Sequence, residues 1–296
     1  MIKKEGDNLK RVIVCSPESE YFRVENFKVH NITDIPDENR AREQHNELKA
    51  ILEDFGSEVI NIPELNNHPN SVFTRDTAVC TPEGYIELRM GLPSRRGEED
   101  WMSEFLSSLG YHRAGTIEEP GTVEGGDVIL RDRVAFIGKS RRTNKKGIKQ
   151  ISGLLKKMQY EIRVANVPST YLHLGGAMSV LGRGYILCCK GVFPEAFFNG
   201  FKVIEVHSQT FVSGNVITLG NEEIIAEASN IEATQKLKQN GFTVHRIDLL
   251  EFIKGTGGPS CLIMPLERGQ MKPQINTDKN THHPKNRHRL TQISTD

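Results

Sequence analysis

The chain has 296 residues, 37% hydrophobic, 26% charged and 7% aromatic, which suffices for one large domain or two ordinary ones with a sizeable core. Its 38 Lys and Arg balance 38 Asp and Glu, so no net field draws it to nucleic acid or an anionic membrane. Mean hydropathy is −0.44, no apolar run approaches the ~18–20 residues of a membrane helix, and five cysteines without repeating spacing make no disulfide framework. The start, MIKKEGDNLK, has no apolar stretch behind its basic residues, so it does not read as a signal peptide. The expectation is a soluble protein of a reducing cytoplasm.

In chain order, RVIVC at 11–15 reads as a strand, and ENRAREQHNELKAILEDFG at 38–56 as a helix leading into the strand EVINI. TAVCTPEGYIEL at 77–88 is two short apolar runs about a tight turn, a β-hairpin. EEDWMSEFLSSLG at 98–110 has a helical face of Trp101, Met102, Phe105, Leu106 and Leu109, ended by Gly110. A second hairpin, DVILRDRVAFIG at 127–138, precedes the helix TNKKGIKQISGLLKKM at 143–158. Hairpins follow at 178–189 (MSVLGRGYILCC) and 215–226 (NVITLGNEEIIA). NIEATQKLKQNGF at 230–242 is a helix that opens on Asn230 as its cap and closes at Asn240-Gly241. SCLIMPLE at 260–267 begins a fifth hairpin with no return strand.

The unit of helix, strand, loop, strand, turn and strand therefore recurs about five times, at a spacing of about 37–51 residues that implies a propeller or solenoid. The unassigned N-terminal strand is expected to complete the last module and close a ring. Closure brings the residues before each hairpin to a common axis: Thr74-Arg75-Asp76, Glu124-Gly125-Gly126-Asp127, Leu172-His173-Leu174, Ser213-Gly214-Asn215 and Gly257-Gly258-Pro259-Ser260-Cys261. Residues 1–267 are thus read as one catalytic domain. Residues 268–296, polar and carrying a net +4 against −4 for the body, are read as a disordered tail.

A cysteine is a nucleophile only as a thiolate, in a polar and accessible setting. Cys261 follows GTGGPS, where small residues let backbone amides approach, whereas Cys15, Cys80, Cys188 and Cys189 sit inside strand patterns and read as packing. Taken singly, His173 reads equally well as a core histidine, EGGD as a simple turn, and Arg95, Arg96, Arg141 and Arg142 as a solvated basic face. Together they supply a nucleophile, an acid/base and several carboxylates. Carboxylates beside a thiolate repel it unless the substrate is a cation, and a planar guanidinium meets that need because carboxylates can grip its edges.

The stretches EQHNEL (43–48), NSVFTRDTAV (70–79), GLPSRRGEE (91–99), GTVEGGDV (121–128), IGKSRRTNKKG (137–147), YLHL (171–174), SGNVI (213–217) and GGPSCLIM (257–264) resemble, in order, the guanidino-group-modifying enzymes of the pentein fold. The chain is most similar to the dimethylarginine dimethylaminohydrolases, over roughly residues 10–266. The resemblance implies an α/β propeller of five pseudo-symmetric ββαβ-type modules around a central site. It implies Cys261 as nucleophile, His173 as proton shuttle, and Glu124 orienting His173 and holding a guanidinium nitrogen. Asp76 would bind the guanidinium, and Arg95 and Arg142 the substrate carboxylate. Asn70 stands where the family's ammonium-binding Asp is expected, and Asp127 is a substrate-side residue more suited to ordering its turn. The chemistry implied needs no metal or organic cofactor; the partner is a small guanidino substrate, and a homo-oligomer is left open.

Two residues depart from the dimethylarginine pattern: Asn70 replaces Asp, and Arg75 replaces Glu, giving the Arg-Asp pair of arginine deiminases and amidinotransferases. Gly175 pulls the other way, because those siblings place an Asp there, and its loss leaves room for N-alkyl groups. Methylated arginine therefore ranks first as substrate, arginine or another guanidine second, amidino transfer third, and a non-catalytic pentein or a zinc site last. IGKS at 137–140 is no P-loop, because Arg133 stands where the first glycine belongs.

Overall fold

The computed structural model describes residues 6–269. Strands β1 (Leu9–Val14) and β2 (Glu58–Asn61) run parallel, connected through the helix Glu38–Asp54. Four modules follow. The first holds β3 (Ala78–Thr81), β4 (Gly84–Glu87) and β5 (Arg113–Thr116), and the second β6 (Val128–Arg131), β7 (Val134–Lys139) and β8 (Glu161–Asn166). The third holds β9 (Met178–Val180), β10 (Tyr185–Cys189) and β11 (Lys202–Val206), and the fourth β12 (Val216–Gly220), β13 (Glu223–Glu227) and β14 (Thr243–Ile247). In each, an antiparallel hairpin is extended by a third strand parallel to its second.

β15 (Met264–Arg268) pairs antiparallel with β1, Ile13 opposite Met264, so the fifth sheet has the order β15-β1-β2 and repeats the same pattern. The chain closes on itself as a five-module pentein propeller of separate three-stranded sheets. β15 runs one residue past the expected domain boundary: Arg268 is buried and donates to Thr218 O at 2.7 Å. The rest of the predicted tail, 270–296, lies outside the described residues.

Local chemistry explains most of these elements. Three hairpins turn on residues of positive φ: Asp132 (53°) and Asn221 (47°) in two-residue connections, and Arg183 (55°) in the longer connection between β9 and β10. Asp37 caps the helix Glu38–Asp54 by accepting from Arg40 N, and Asn144 caps Lys145–Lys157 by accepting from Gly147 N. Asn230 differs from expectation. It makes no side-chain cap on the helix Ile231–Gln239; its amide instead donates to Ser213 O at 2.9 Å, tying that helix to the loop before β12. The third module also lacks a full α-helix. Between β10 and β11 runs only the 3-10 turn Glu195–Phe198, and Phe197 packs edge-on against Phe136 of the neighbouring module at 5.1 Å.

Four of the five hairpins are preceded by a single helical turn: Thr74–Asp76, Gly125–Asp127, Leu174–Ala177 and Pro259–Leu262. These turns abut one another around the axis. Each is too short to be stable alone, and each is held by the strand that follows it. The site is therefore built on the inner ends of five sheets.

Candidate active site

His173 immediately precedes the turn Leu174–Ala177, with an extended backbone that points its ring inward. Its Nε2 lies 2.7 Å from Glu124 Oε2, and its Nδ1 lies 3.8 Å from Asp76 Oδ1, beyond hydrogen-bond reach. Nδ1 is thus the ring nitrogen left for a substrate. Gly126 makes room for it: a Cβ there would sit 2.7 Å from the ring Cγ and 2.8 Å from Nδ1. Burial disfavours the charged imidazole, but Asp76, the hydrogen bond to Glu124 and the nearby Asp127 outweigh it and raise the His173 pKa to about 9. His173 is therefore an imidazolium at neutral pH.

Glu124 is fully buried. Beyond His173 it accepts from Gly91 N (2.9 Å) and Leu92 N (3.1 Å), and Arg142 Nη1 stands 3.5 Å away. Burial opposes its ionised form, yet the hydrogen bond and charge of His173, with Arg142 and Arg95, hold its pKa well below the usual carboxylate range. It orients His173 as expected. Asp76 is the carboxylate that lines the cavity, with Glu124 behind His173.

Asp76 accepts from Gly126 N at 3.0 Å and from Arg95 Nη1 at 2.6 Å. Arg95 departs from its expected role. It is 3% exposed, Nε and Nη2 donate to Glu98 Oε2 at 2.9 and 2.7 Å, and Nη2 also reaches Phe73 O at 3.0 Å. It lines the cavity that contains Cys261, with its donors engaged by Asp76, Glu98 and Phe73 O, so in this arrangement it fixes Asp76. Asp127 is turned into the protein: Oδ2 accepts from Ser140 Oγ (2.6 Å) and Oδ1 from Leu174 N (2.9 Å), and it stands outside the cavity wall. It orders the loop that carries His173, not the substrate.

Cys261 lies on the turn Pro259–Leu262 and lines the cavity with His173, Asp76, Asn70 and Arg142. Burial pushes its thiol up to about 12, Asp76 adds to the rise, and a backbone hydrogen bond from Gly258, with Arg75 and Arg95, pulls against it. The resting nucleophile is a thiol. A cation docked beside Asp76 would reverse the largest charge effect on it. On the inner side of Cys261 the cavity is walled by Gly175, Gly176, Asn215, Ser260 and Phe211, so Gly175 leaves space there. Arg75 donates to Val128 O at 3.3 Å and faces the inner cavity. The other four cysteines are buried, as expected for packing residues.

Sequence reasoning missed the outer wall. His30 and Asn31, at the end of the short helix Phe27–His30, and Thr256 in the loop before Cys261 line the same cavity. Asn31 Nδ2 donates to Thr256 Oγ1 (2.8 Å), whose hydroxyl donates back to Asn31 O (2.9 Å). A four-residue helix leaves no periodicity to detect; the Asn26 that caps it by accepting from Val29 N was the sole signal. Among the described residues, Asp76, Glu124 and His173 form the group whose ligand atoms, all within 4.8 Å of one another, could hold a metal ion. Those atoms are already tied up in the His173–Glu124 and Asp76–Arg95 pairs.

The family model described as N,N dimethylarginine dimethylhydrolase, eukaryotic, matches residues 24–268. The chain belongs to the dimethylarginine dimethylaminohydrolase family. It is 31% identical to the N(G),N(G)-dimethylarginine dimethylaminohydrolase of Pseudomonas aeruginosa over 227 residues, 77% of this chain and 89% of that one. A solved cysteine-to-serine mutant of the Pseudomonas aeruginosa enzyme, complexed with citrulline, superposes with a TM-score of 0.77 at 28% identity, covering 87% of this chain and 99% of that one. The N-terminal domain of a cyanobacterial arginine dihydrolase shares the fold, with a TM-score of 0.76 at 22% identity. Like other members of the dimethylarginine dimethylaminohydrolase family, the chain is read as a hydrolase of guanidino C–N bonds.

Proposed function

We propose that the protein hydrolyses N-methylated arginine to citrulline and a methylamine. The observation that carries this reading is the pair of buried His173 and Glu124, 2.7 Å apart, on a cavity shared by Cys261 and the carboxylate of Asp76. Gly175 on the inner wall supports the methylated substrate, because a carboxylate there would occupy the space of an N-alkyl group.

A guanidinium docking against Asp76 lowers the Cys261 pKa, and the thiol proton passes to solvent. The thiolate forms an S–C bond at the guanidinium carbon, and His173 as imidazolium protonates the departing amine while the C–N bond breaks. Neutral His173 then takes a proton from water, and the hydroxide adds to the thiouronium carbon. Collapse breaks the C–S bond while the hydroxyl proton of the adduct passes to the departing sulfur, which leaves the ureido product and the Cys261 thiol. No redox step or external cofactor enters. No helix among the described residues is long and apolar enough to cross a membrane, and we place the reaction in the cytoplasm, on a small-molecule partner.

The test offers purified protein asymmetric dimethylarginine and arginine separately, scoring citrulline, dimethylamine and ammonia, with Cys261→Ser as control. Dimethylamine with citrulline supports the proposal. Ammonia from arginine alone moves the protein to the deiminase class and makes the Arg75-Asp76 pair the better guide.

A further inference from the structure

Three buried polar atoms around the outer cavity fall short of full hydrogen-bond geometry: His30 Nδ1 and Asn70 Oδ1, whose side chains interact with each other, and Arg142 Nη1, which stands 3.5 Å from Glu124 Oε1. All three residues line the cavity that contains Cys261. Asn70 and Arg142 are 4% and 7% exposed, so bulk water does not serve them well. Unmade hydrogen bonds of this kind are costly and concentrate where a ligand completes them. Here the incompletely satisfied set is one charged donor, held only by the 3.5 Å ion pair with Glu124, and two groups able to accept, the complement of a carboxylate beside an ammonium.

We propose that His30 is a specificity-determining residue that, together with Asn70, accepts hydrogen bonds from the α-ammonium of the substrate while Arg142 takes its carboxylate. The inference rests on the reading of the site as a hydrolase of arginine-like amino acids. An amide oxygen alone holds a cation less firmly than the carboxylate it replaces, and the imidazole lone pair supplies a second acceptor. His30 is carried to this place by the helix Phe27–His30, which is fixed on one side by Ser94 Oγ donating to Val29 O (2.7 Å) and on the other by the Asn31–Thr256 pair.

His30 accepts only while neutral. Burial lowers its pKa, a hydrogen bond that the protonated ring donates to the Asn70 side chain pulls the other way, and His68 adds to the lowering; the incoming ammonium takes the place of that ring donor. The charged and titratable groups around it are Arg142, Arg95 and Asp76 (the last two paired at 2.6 Å), His173 paired with Glu124, Cys261, and Lys28 on its own helix. A second positive charge at His30 would therefore meet Arg142 and the incoming ammonium with no free carboxylate between them.

The experiment compares kcat/KM for asymmetric dimethylarginine and for its des-amino counterpart, which keeps the guanidinium and the carboxylate, from about pH 8 to about pH 5.5. Titrations of Cys261 and His173 affect both substrates and cancel in the ratio. The expected result is a preference for the α-amino substrate that falls as the pH drops, by less than about tenfold at about pH 5.5 because burial holds the His30 pKa below the ordinary imidazole value. His30→Gln, which keeps an acceptor but does not titrate, should hold the preference at every pH, and His30→Ala should lose it at every pH. A wild-type ratio that does not move with pH, or a His30→Ala protein as selective as wild type, overturns the proposal. If wild type hydrolyses neither compound, the hydrolase reading fails separately. Calorimetric binding of arginine and its des-amino analogue to Cys261→Ser at the two pH extremes then decides: a pH-dependent preference supports the role of His30, and equal affinities overturn it.

Discussion

Glu124 Oε2 and His173 Nε2 lie 2.7 Å apart with neither group open to bulk solvent, and this contact sets the protonation state of the site. Glu124→Gln keeps the shape and removes the charge that stabilises the imidazolium. The expected outcome is a fall in kcat of about 10²-fold, with the alkaline limb of the pH–rate profile moving down from its wild-type position near the His173 pKa of about 9. His173→Ala should lose about 10²–10⁴-fold, the usual reach of one acid/base group. Steady-state kinetics across pH check both, and near-normal turnover in His173→Ala would sink the assignment.

The same pair couples stability to pH. The folded pKa of His173 is raised to about 9 above an unfolded value of about 6.5. Its contribution is fully present below about pH 6.5 and is lost as the pH rises through about 9. The midpoint of thermal unfolding should therefore decline between about pH 6.5 and 8.5 in wild type, and decline less in His173→Gln. Asp127, raised to about 6, has already given up its contribution below this window, and the paired comparison removes what is common to both proteins.

Cys261 should discriminate reagents by charge. With its thiol pushed up to about 12, a neutral alkylating amide meets almost no thiolate near pH 7, whereas a cationic haloamidine of similar size docks at Asp76 and generates it. Inactivation by the cation should be faster by about 100-fold or more. In Asp76→Asn the two rates should converge. Equal rates in wild type would remove substrate charge from the activation of the thiol.

The two arginines should part company. Arg142→Ala should raise KM for amino-acid substrates about 10–100-fold with kcat largely kept, since it removes a contact held alike in ground and transition states. Arg95→Ala strands Asp76 and Glu98 without their cation. It should destabilise the fold by about 3–5 kcal/mol and depress kcat, visible as a shifted denaturant midpoint. A change confined to KM in Arg95→Ala would return that residue to the substrate.

Gly126→Ala is a steric test. Its Cβ would press on the His173 ring at 2.7 Å, and backbone and ring must both yield. A cost of about 1–3 kcal/mol with kcat down at least about tenfold is expected, readable from melting and kinetics on one preparation.

The hairpins and the ring were legible because period-two alternation and turn residues such as Asp132 and Asn221 report local geometry directly. Cys261, His173, Glu124 and Asp76 were legible because a repeated module places equivalent positions on one axis. Side-chain direction was not. Nothing in the spacing of SRRGEE tells that Arg95 turns inward to Asp76 and Glu98, a choice made by burial and charge in three dimensions. Asn230 was misread for a related reason: as a donor to Ser213 O it serves the neighbouring loop, and propensity alone favours the local cap. His30 was missed because its helix is held by contacts to Ser94 and Thr256, distant in sequence, and carries no pattern of its own.

Because β1 is strand-paired with β15, the fifth sheet joins the first strand of the chain to the last one described. During synthesis the four intervening modules can form on nearby contacts and β1 can pair with β2, while the other edge of β1 waits for a partner more than two hundred residues away. Cys261 lies just ahead of that partner. The nucleophile thus reaches its carboxylates only as the ring shuts, and a nascent chain carries no assembled, reactive centre until β15 has left the ribosome.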